Sequence, residues 1–298
     1  MVQVDSQLVT VASNLSSRPI VILGAARSGT KFLRNTLAAS ESVAATPYDL
    51  NYVWRSGNES HPDDALPPSL CGDKTRSRIR AELRKAAGMG GMDDGKRLLE
   101  KTVSNTLRLP FVARVLPNAD FVHIIRDGRE VVASSIAQWQ SGTDWRYLLR
   151  KARSFPLSNY KYALWYLGNR MRTGSRSRET AIWGVRYPGI EVDASSLPIA
   201  AVCARQWVAS VSSVQEARAV DDTLRYREIR YEDLIASDSA LIELVRWLEL
   251  PDETRILEQY RRTLRTRIGR SWDQAVSDES KVAVLREIEP MLRTLDYM

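Results

Sequence analysis

The stretch PIVILGAARSGTKFLRNTL, Pro19 to Leu37, governs how the rest of the chain is read. Ile20, Val21, Ile22 and Leu23 form a short apolar run, rich in β-branched residues and ended by Gly24, which is the pattern of a buried strand. From Lys31 the period becomes helical, with Phe32, Leu33 and Leu37 on one side. Strand, glycine-containing loop and helix make the opening of a βα unit. The loop carries Gly24, Arg27, Ser28, Gly29 and Thr30, with Lys31 directly after it. Successive backbone N–H groups and a helix start in such a loop form a cradle for an anion, and hydroxyls and a guanidinium add donors. A tight turn that needs glycine has the same outline. Gly24 and Gly29 also have the glycine spacing of a nucleotide triphosphatase loop, GxxxxGK[ST], but Thr30-Lys31 reverses lysine and hydroxyl. That reversal moves the lysine about 100° around the helix.

Outward from this unit, the pattern keeps alternating. A helix is predicted around Arg76–Ala87, ahead of the break GMGGMDDG. A short strand follows at Leu98–Lys101, and a helix from about Ser104 to Val115. ADFVHIIRD, Ala119 to Asp127, is the second clear strand, and the next stretch puts Val131, Val132, Ser135, Ile136 and Trp139 on one helical face. A helix near 197–219, a strand at 224–231 and a helix near 239–248 complete the reading. Strands alternating with helices predict an α/β fold with a central, mainly parallel sheet covered on both faces. Residues 1–18 read as a mobile polar lead-in and 19–298 as one domain. The aromatic, arginine-rich stretch 140–197 reads as an insertion.

Composition narrows the function. The chain has 298 residues, 44% of them hydrophobic, enough for one large core or two modest ones. No apolar run approaches the ~18 residues of a membrane helix, and the N-terminus lacks the basic start and apolar stretch of a secretory signal. A cytoplasmic protein is expected. Two cysteines, Cys71 and Cys203, exclude a disulfide framework, and two histidines, His61 and His123, argue against a zinc site, so no metal is expected. Basic residues outnumber acidic ones 43 to 36, and only eight of the 43 are lysine. Guanidinium groups hold phosphate or sulfate in a planar fork, so the balance favours an anionic ligand. No block of like charges marks a nucleic-acid binder.

Two further motifs fit an anion site. IIRDGREVVASS places Arg126 at a strand end and Ser134 eight residues later, where both can converge on one phosphate. RYED, Arg230 to Asp233, ends a later strand. RSGT, RDGREVVASS, RYEDL and then TRIGRSW (Thr266 to Trp272), in this order, resemble a sulfotransferase of the type that uses 3′-phosphoadenosine 5′-phosphosulfate (PAPS). The resemblance spans about residues 19–290 and implies a three-layer, P-loop nucleotide-kinase-like fold without a catalytic metal. It implies that Arg27, Ser28, Gly29, Thr30 and Lys31 hold the 5′-phosphosulfate, that Arg126 and Ser134 hold the 3′-phosphate, and that Tyr231 lies near the adenine. Arg267 and Arg270 become candidates on a late loop over the 3′-phosphate.

Two departures bear on catalysis. Many relatives have RSGTT where this chain has Lys31 in place of the second threonine. The cytosolic aryl and steroid enzymes place a histidine after lysine and threonine, whereas EKTV puts Val103 there. Carbohydrate and tyrosyl-protein relatives use a carboxylate after the first helix, and SVAATPYDLN offers Asp49 in that region, with Glu41 as the next choice. Lys101 matches a lysine set against the transferring group. The expectation is therefore a PAPS-dependent sulfotransferase nearer the carbohydrate and tyrosyl-protein branch, with Asp49, Lys101 and Arg27 as catalytic residues. Its acceptor would be a hydroxyl or amine of a glycan or small molecule, bound by 140–197. Two other readings stay open: a P-loop kinase or nucleotide hydrolase, and a non-catalytic protein that binds anions or nucleic acid.

Overall fold

The computed structural model of the chain describes residues 17–90, 95–140, 182–264 and 272–298. Five strands form one sheet: β1 (Ile20–Leu23), β2 (Val43–Ala45), β3 (Arg97–Lys101), β4 (Asp120–Ile125) and β5 (Tyr226–Arg230). Their order is β2-β3-β1-β4-β5 and every pairing is parallel. β1 is therefore central, flanked by β3 and β4, with Ile22 in register with both Lys101 and Val122.

The apolar run of β1 is a consequence of burial on both faces. Val21 and Leu23 pack with Leu98 and Phe121 in one cluster, while Ile20 and Ile22 pack with Leu99, Val122 and Ile124 in another. All four β1 side chains are fully buried, each stabilising the fold by roughly 1.5–3 kcal/mol through loss of apolar surface. On the first face lie α2 (Asn51–Trp54), α3 (Asp73–Ala86) and α4 (Leu109–Val115). On the other lie α1 (Thr30–Leu37) and the helices α8 (Tyr231–Ala236), α9 (Asp238–Trp247) and α10 (Glu253–Leu264). A third cluster joins α5 (Gly128–Gln140), α6 (Ile190–Ser196) and α7 (Ile199–Val220) to the C-terminal α12 (Asp278–Thr294), which follows the short α11 (Trp272–Ala275).

Most expected elements are present, with instructive differences. The helix expected over Ser104–Val115 is divided into a 3-10 helix, Val103–Arg108, and α4. Pro110 explains the division: it has no N–H to give and sits in the first turn of α4, where none is needed. The face expected on α5 is the packed one, with Val131, Val132, Ser135 and Trp139 buried. Strand β2 and helices α2, α6, α8, α10, α11 and α12 had no counterpart in the expectations. β2 is only three residues long. α12 does carry a start signal: Ser277 caps it, accepting from the Ser280 N–H, with Asp278 and Glu279 in its first turn.

Candidate functional site

The site lies at the carboxyl ends of the central strands, where ligands enter open parallel sheets. The loop after β1 turns sharply. The Ser28 N–H donates to the Ala25 carbonyl (3.1 Å), and Gly29, at φ 96°, opens α1 by accepting from the Leu33 N–H (3.0 Å). A Cβ on Gly29 would stand 2.5 Å from the Tyr231 ring, so glycine is required for close approach as well as for its backbone angle. Arg27 adopts φ 74° although it is not glycine, a conformation that costs roughly 1–2 kcal/mol. Left-handed residues of this kind persist where surrounding contacts fix them, and Arg27 has such contacts. Its Nε donates to Ser134 Oγ at 2.8 Å and its carbonyl accepts from Arg126 Nη1 at 3.2 Å.

These contacts bring the sequence-predicted donor residues together. Arg126 leaves the end of β4 with its guanidinium carbon 4.7 Å from the centroid of the Tyr231 ring. Tyr231 was expected to end a strand. It instead opens α8, buried between Gly29 and Arg126. Ser28 and Thr30 are buried and Lys31 is exposed in the first turn of α1. Ser28 Oγ is a buried hydroxyl with no hydrogen-bond partner among the described residues. Leaving such a group unmet costs about 1–3 kcal/mol, and an oxyanion in the cradle would meet it. Arg267 and Arg270 lie outside the described residues.

The second cluster stands at the end of β3, beside β1. Asp49 precedes α2, and Lys101 Nζ (3.1 Å) and the Val103 N–H (3.3 Å) both donate to its Oδ2. The Lys101 and Asp49 side chains are 11% and 25% exposed, so the pair opens to solvent on one side. Among the described residues Oδ1 accepts no hydrogen bond. Glu41, the second choice of base, follows the C-terminal end of α1, at the opposite end of that helix from the cradle, and pairs with Arg255 on α10. An eight-residue helix separates it from the loop by ~12 Å. The histidines stand apart. His123 is fully buried within β4 beside the Tyr226 hydroxyl (2.8 Å), and burial pushes its pKa down to about 3. His61 Nδ1 lies 3.1 Å from the Asp63 carbonyl in a loop.

Two acids of the motifs, not singled out from the sequence, organise this end of the sheet. Glu130 accepts from Arg126 (3.4 Å) and from the Trp272 N–H (2.9 Å), tying the strand-end arginine to the chain just beyond TRIGRS. Glu232 accepts from the Asp127 N–H (3.0 Å) and the Tyr297 hydroxyl (2.8 Å). The one available signal was their place inside RDGRE and RYED. Of the insertion expected over 140–197, residues 141–181 lie outside the described ones. Val185, Tyr187 and Ile190 pack into the third cluster, and the Arg186 N–H donates to Asp64 (2.9 Å).

An α/β protein with a five-stranded parallel sheet and a cationic loop after its central strand is the class that fold and site define. The sequence profile of the sulfotransferase family matches residues 19–193, more than half of the chain, and the chain belongs to that family. Comparison with curated protein sequences gives no match. Among solved structures, the sulfotransferase STF9 from Mycobacterium avium is similar with a TM-score of 0.53 at 12% identity, over 95% of this chain and 78% of that one. The likeness is one of fold, the P-loop nucleotide-kinase-like arrangement. Two others score lower. The sulfotransferase domain from the curacin biosynthetic pathway has a TM-score of 0.48 at 18% identity, over 82% of this chain and 79% of that one. The sulfotransferase from Alicyclobacillus acidocaldarius has 0.47 at 15% identity, over 94% and 95%. Among the described residues no helix is long and apolar enough to cross a membrane.

Proposed function

We propose that this sulfotransferase takes its sulfuryl group from PAPS and transfers it to a hydroxyl or amine of a glycan or small-molecule acceptor. One observation carries the donor assignment. Arg27 and Ser134, 107 residues apart in sequence, share a 2.8 Å hydrogen bond, with Arg126 bonded to the same loop and laid against Tyr231. The loop after β1 thus stands beside Arg126 and Ser134, an arrangement that supports a ligand with separate 5′ and 3′ anionic groups. Arg27, Ser28, Gly29, Thr30 and Lys31 would hold the 5′ side, and Arg126 and Ser134 the 3′-phosphate beside Tyr231. Arg267 and Arg270 are proposed for the same phosphate.

Bound there, the donor would supply the sulfuryl group and depart as 3′-phosphoadenosine 5′-phosphate (PAP). The chain's own residues do the rest. Asp49 takes the proton as the acceptor oxygen bonds to sulfur, and its Oδ1 keeps lone pairs for this because both neighbours bind Oδ2. Lys101 and Arg27 place positive charge where negative charge develops on the sulfuryl and bridging oxygens, an electrostatic contribution that is often the largest. Residues of 140–197 are proposed to bind the acceptor.

Thermal unfolding with PAP or ATP, each in EDTA and in magnesium, tests the donor. PAP at 100 times its dissociation constant should stabilise the fold by ~2.7 kcal/mol, and ATP should do much less because it lacks a 3′-phosphate. An equal response, or a strict need for magnesium, would favour a kinase or nucleotide hydrolase.

A further inference from the structure

Thr102 occupies a position where threonine ordinarily serves its own helix. It is the residue before the 3-10 helix Val103–Arg108, and a threonine there usually accepts a bond from that helix's first N–H groups. Here the hydroxyl makes no such cap. It accepts instead from the Leu50 N–H (3.0 Å), 52 residues away, and donates to Glu100 Oε1 (2.5 Å). Thr102, Glu100 and Leu50 are all fully buried.

The register of these bonds is informative. Lys101 and Val103, on either side of Thr102, both bind Asp49, and Asp49 is the neighbour of Leu50. Three bonds therefore lock residues 49–50 onto residues 101–103, and only the Thr102 bond is buried. Behind Thr102 the frame continues. Glu100 Oε1 also accepts from Trp54 Nε1 (3.1 Å) and its Oε2 from Asn105 Nδ2 (2.9 Å). Arg108 donates to Asn105 (2.9 Å) and to Asn51 (2.6 Å), which in turn donates to Asp64 (2.9 Å). Helix α2, which begins two residues after Asp49, is thus fastened to the end of β3 through buried polar groups. Such bonds act in a low dielectric, and one lost partner leaves another group unmet.

We propose that Thr102 is the positioning residue of the site: from the frame anchored on Glu100 it fixes the Leu50 backbone, and through it the placement of Asp49 against Lys101. This rests on the proposed roles of Asp49 and Lys101. A displacement of ~1 Å in a reacting group can cost ~10²-fold in rate, so the effect belongs in turnover and not in donor binding.

The test compares Thr102→Val, which keeps the shape without the hydroxyl, with Thr102→Ser, which keeps the hydroxyl. Each is assayed for sulfuryl transfer to a hydroxyl acceptor, for PAP binding by calorimetry, and for hydrogen exchange at the Leu50 amide. Thr102→Val should lower kcat roughly 10- to 100-fold, leave PAP affinity within about twofold and speed exchange at Leu50. Thr102→Ser should restore both turnover and protection. In an Asp49→Asn background, Thr102→Val should cost little more, because non-additivity marks residues acting through one another. The inference is overturned if Thr102→Val turns over normally, if Thr102→Ser is as impaired as Thr102→Val, or if the loss is undiminished beside Asp49→Asn. A wild-type protein that neither binds PAP nor transfers a sulfuryl group would instead defeat the functional reading. Unaltered exchange at Leu50 in Thr102→Val defeats the positioning bond whatever the activity.

Discussion

Replacing Arg126 with alanine separates the proposed donor site from the fold. The Arg126 side chain is 21% exposed, and among the described residues it donates to the Arg27 carbonyl at 3.2 Å and to Glu130 at 3.4 Å. A guanidinium has five N–H donors in a fixed fork, so donors remain for a phosphate. Hydrogen bonds to charged groups contribute roughly 1.5–3 kcal/mol, and 1.4 kcal/mol is a factor of ten in affinity. Arg126→Ala should therefore weaken PAP binding about ten- to a hundred-fold. The structural cost is smaller. The contact with the Tyr231 ring is worth ~0.5–1 kcal/mol, and a partly exposed pair such as Arg126–Glu130 a few tenths. Titration calorimetry with PAP, and with adenosine 5′-phosphosulfate as the ligand lacking the 3′-phosphate, distinguishes the two. The second ligand should bind wild type weakly and scarcely notice the change. Ser134→Ala should act in the same direction but less. Equal losses for both ligands, or none for PAP, would refute the assignment of Arg126 to the 3′-phosphate.

Asp49→Asn keeps the shape but cannot take a proton, so kcat toward a hydroxyl acceptor should fall ~10²–10⁴-fold; PAP affinity should hold, and near-normal turnover would move the role elsewhere. Arg27→Gly removes the left-handed strain together with the guanidinium, whereas Arg27→Ala removes only the latter. By thermal unfolding the glycine variant should be the more stable by roughly 1 kcal/mol, with both weak for PAP; equal stabilities would show that the backbone there is unstrained. Burial holds the Glu100 pKa up to about 7, against an ordinary 4.5, despite bonds from Thr102 and Trp54 that oppose the rise. Between those values the folded chain retains a proton that the unfolded chain has lost, so this group's stability contribution falls as pH rises from 4.5 to 7 and is level above. The full change is of order 3 kcal/mol. His123, pushed down to about 3 by burial, slopes the opposite way below pH 6.5, but cancels in the difference between wild type and Glu100→Gln. That difference, from urea unfolding at pH 5 to 8, should decline and then flatten; a flat line throughout would contradict it.

Legibility followed burial. β1 and β4 were readable because both faces are covered, which leaves a continuous apolar run, and α5 because one helical face packs against α7 and α12. β2 was not, since three residues carry too little pattern. α12 was overlooked although Ser277, Asp278 and Glu279 announce its start. In the candidate site, RSGT and RDGREVVASS singled out Arg27, Arg126 and Ser134, but not the hydrogen bond between Arg27 and Ser134, which depends on the approach of β1 and β4 and on strain at Arg27. Glu100 and Thr102 were invisible as polar groups of consequence. Their importance comes from buried partners on α2 and the 3-10 helix, and no local spacing encodes those.

Incubation of the protein with 35S-labelled PAPS and a panel of hydroxyl acceptors, in the presence of EDTA, tests metal-independent sulfuryl transfer itself. Label should pass to an acceptor with one PAP released per transfer, undiminished by EDTA. Transfer should be lost in Asp49→Asn and Arg126→Ala, in the first through turnover and in the second through donor affinity. No transfer to any acceptor, together with magnesium-dependent release of phosphate from ATP or salt-sensitive binding of nucleic acid, would contradict the proposed transfer.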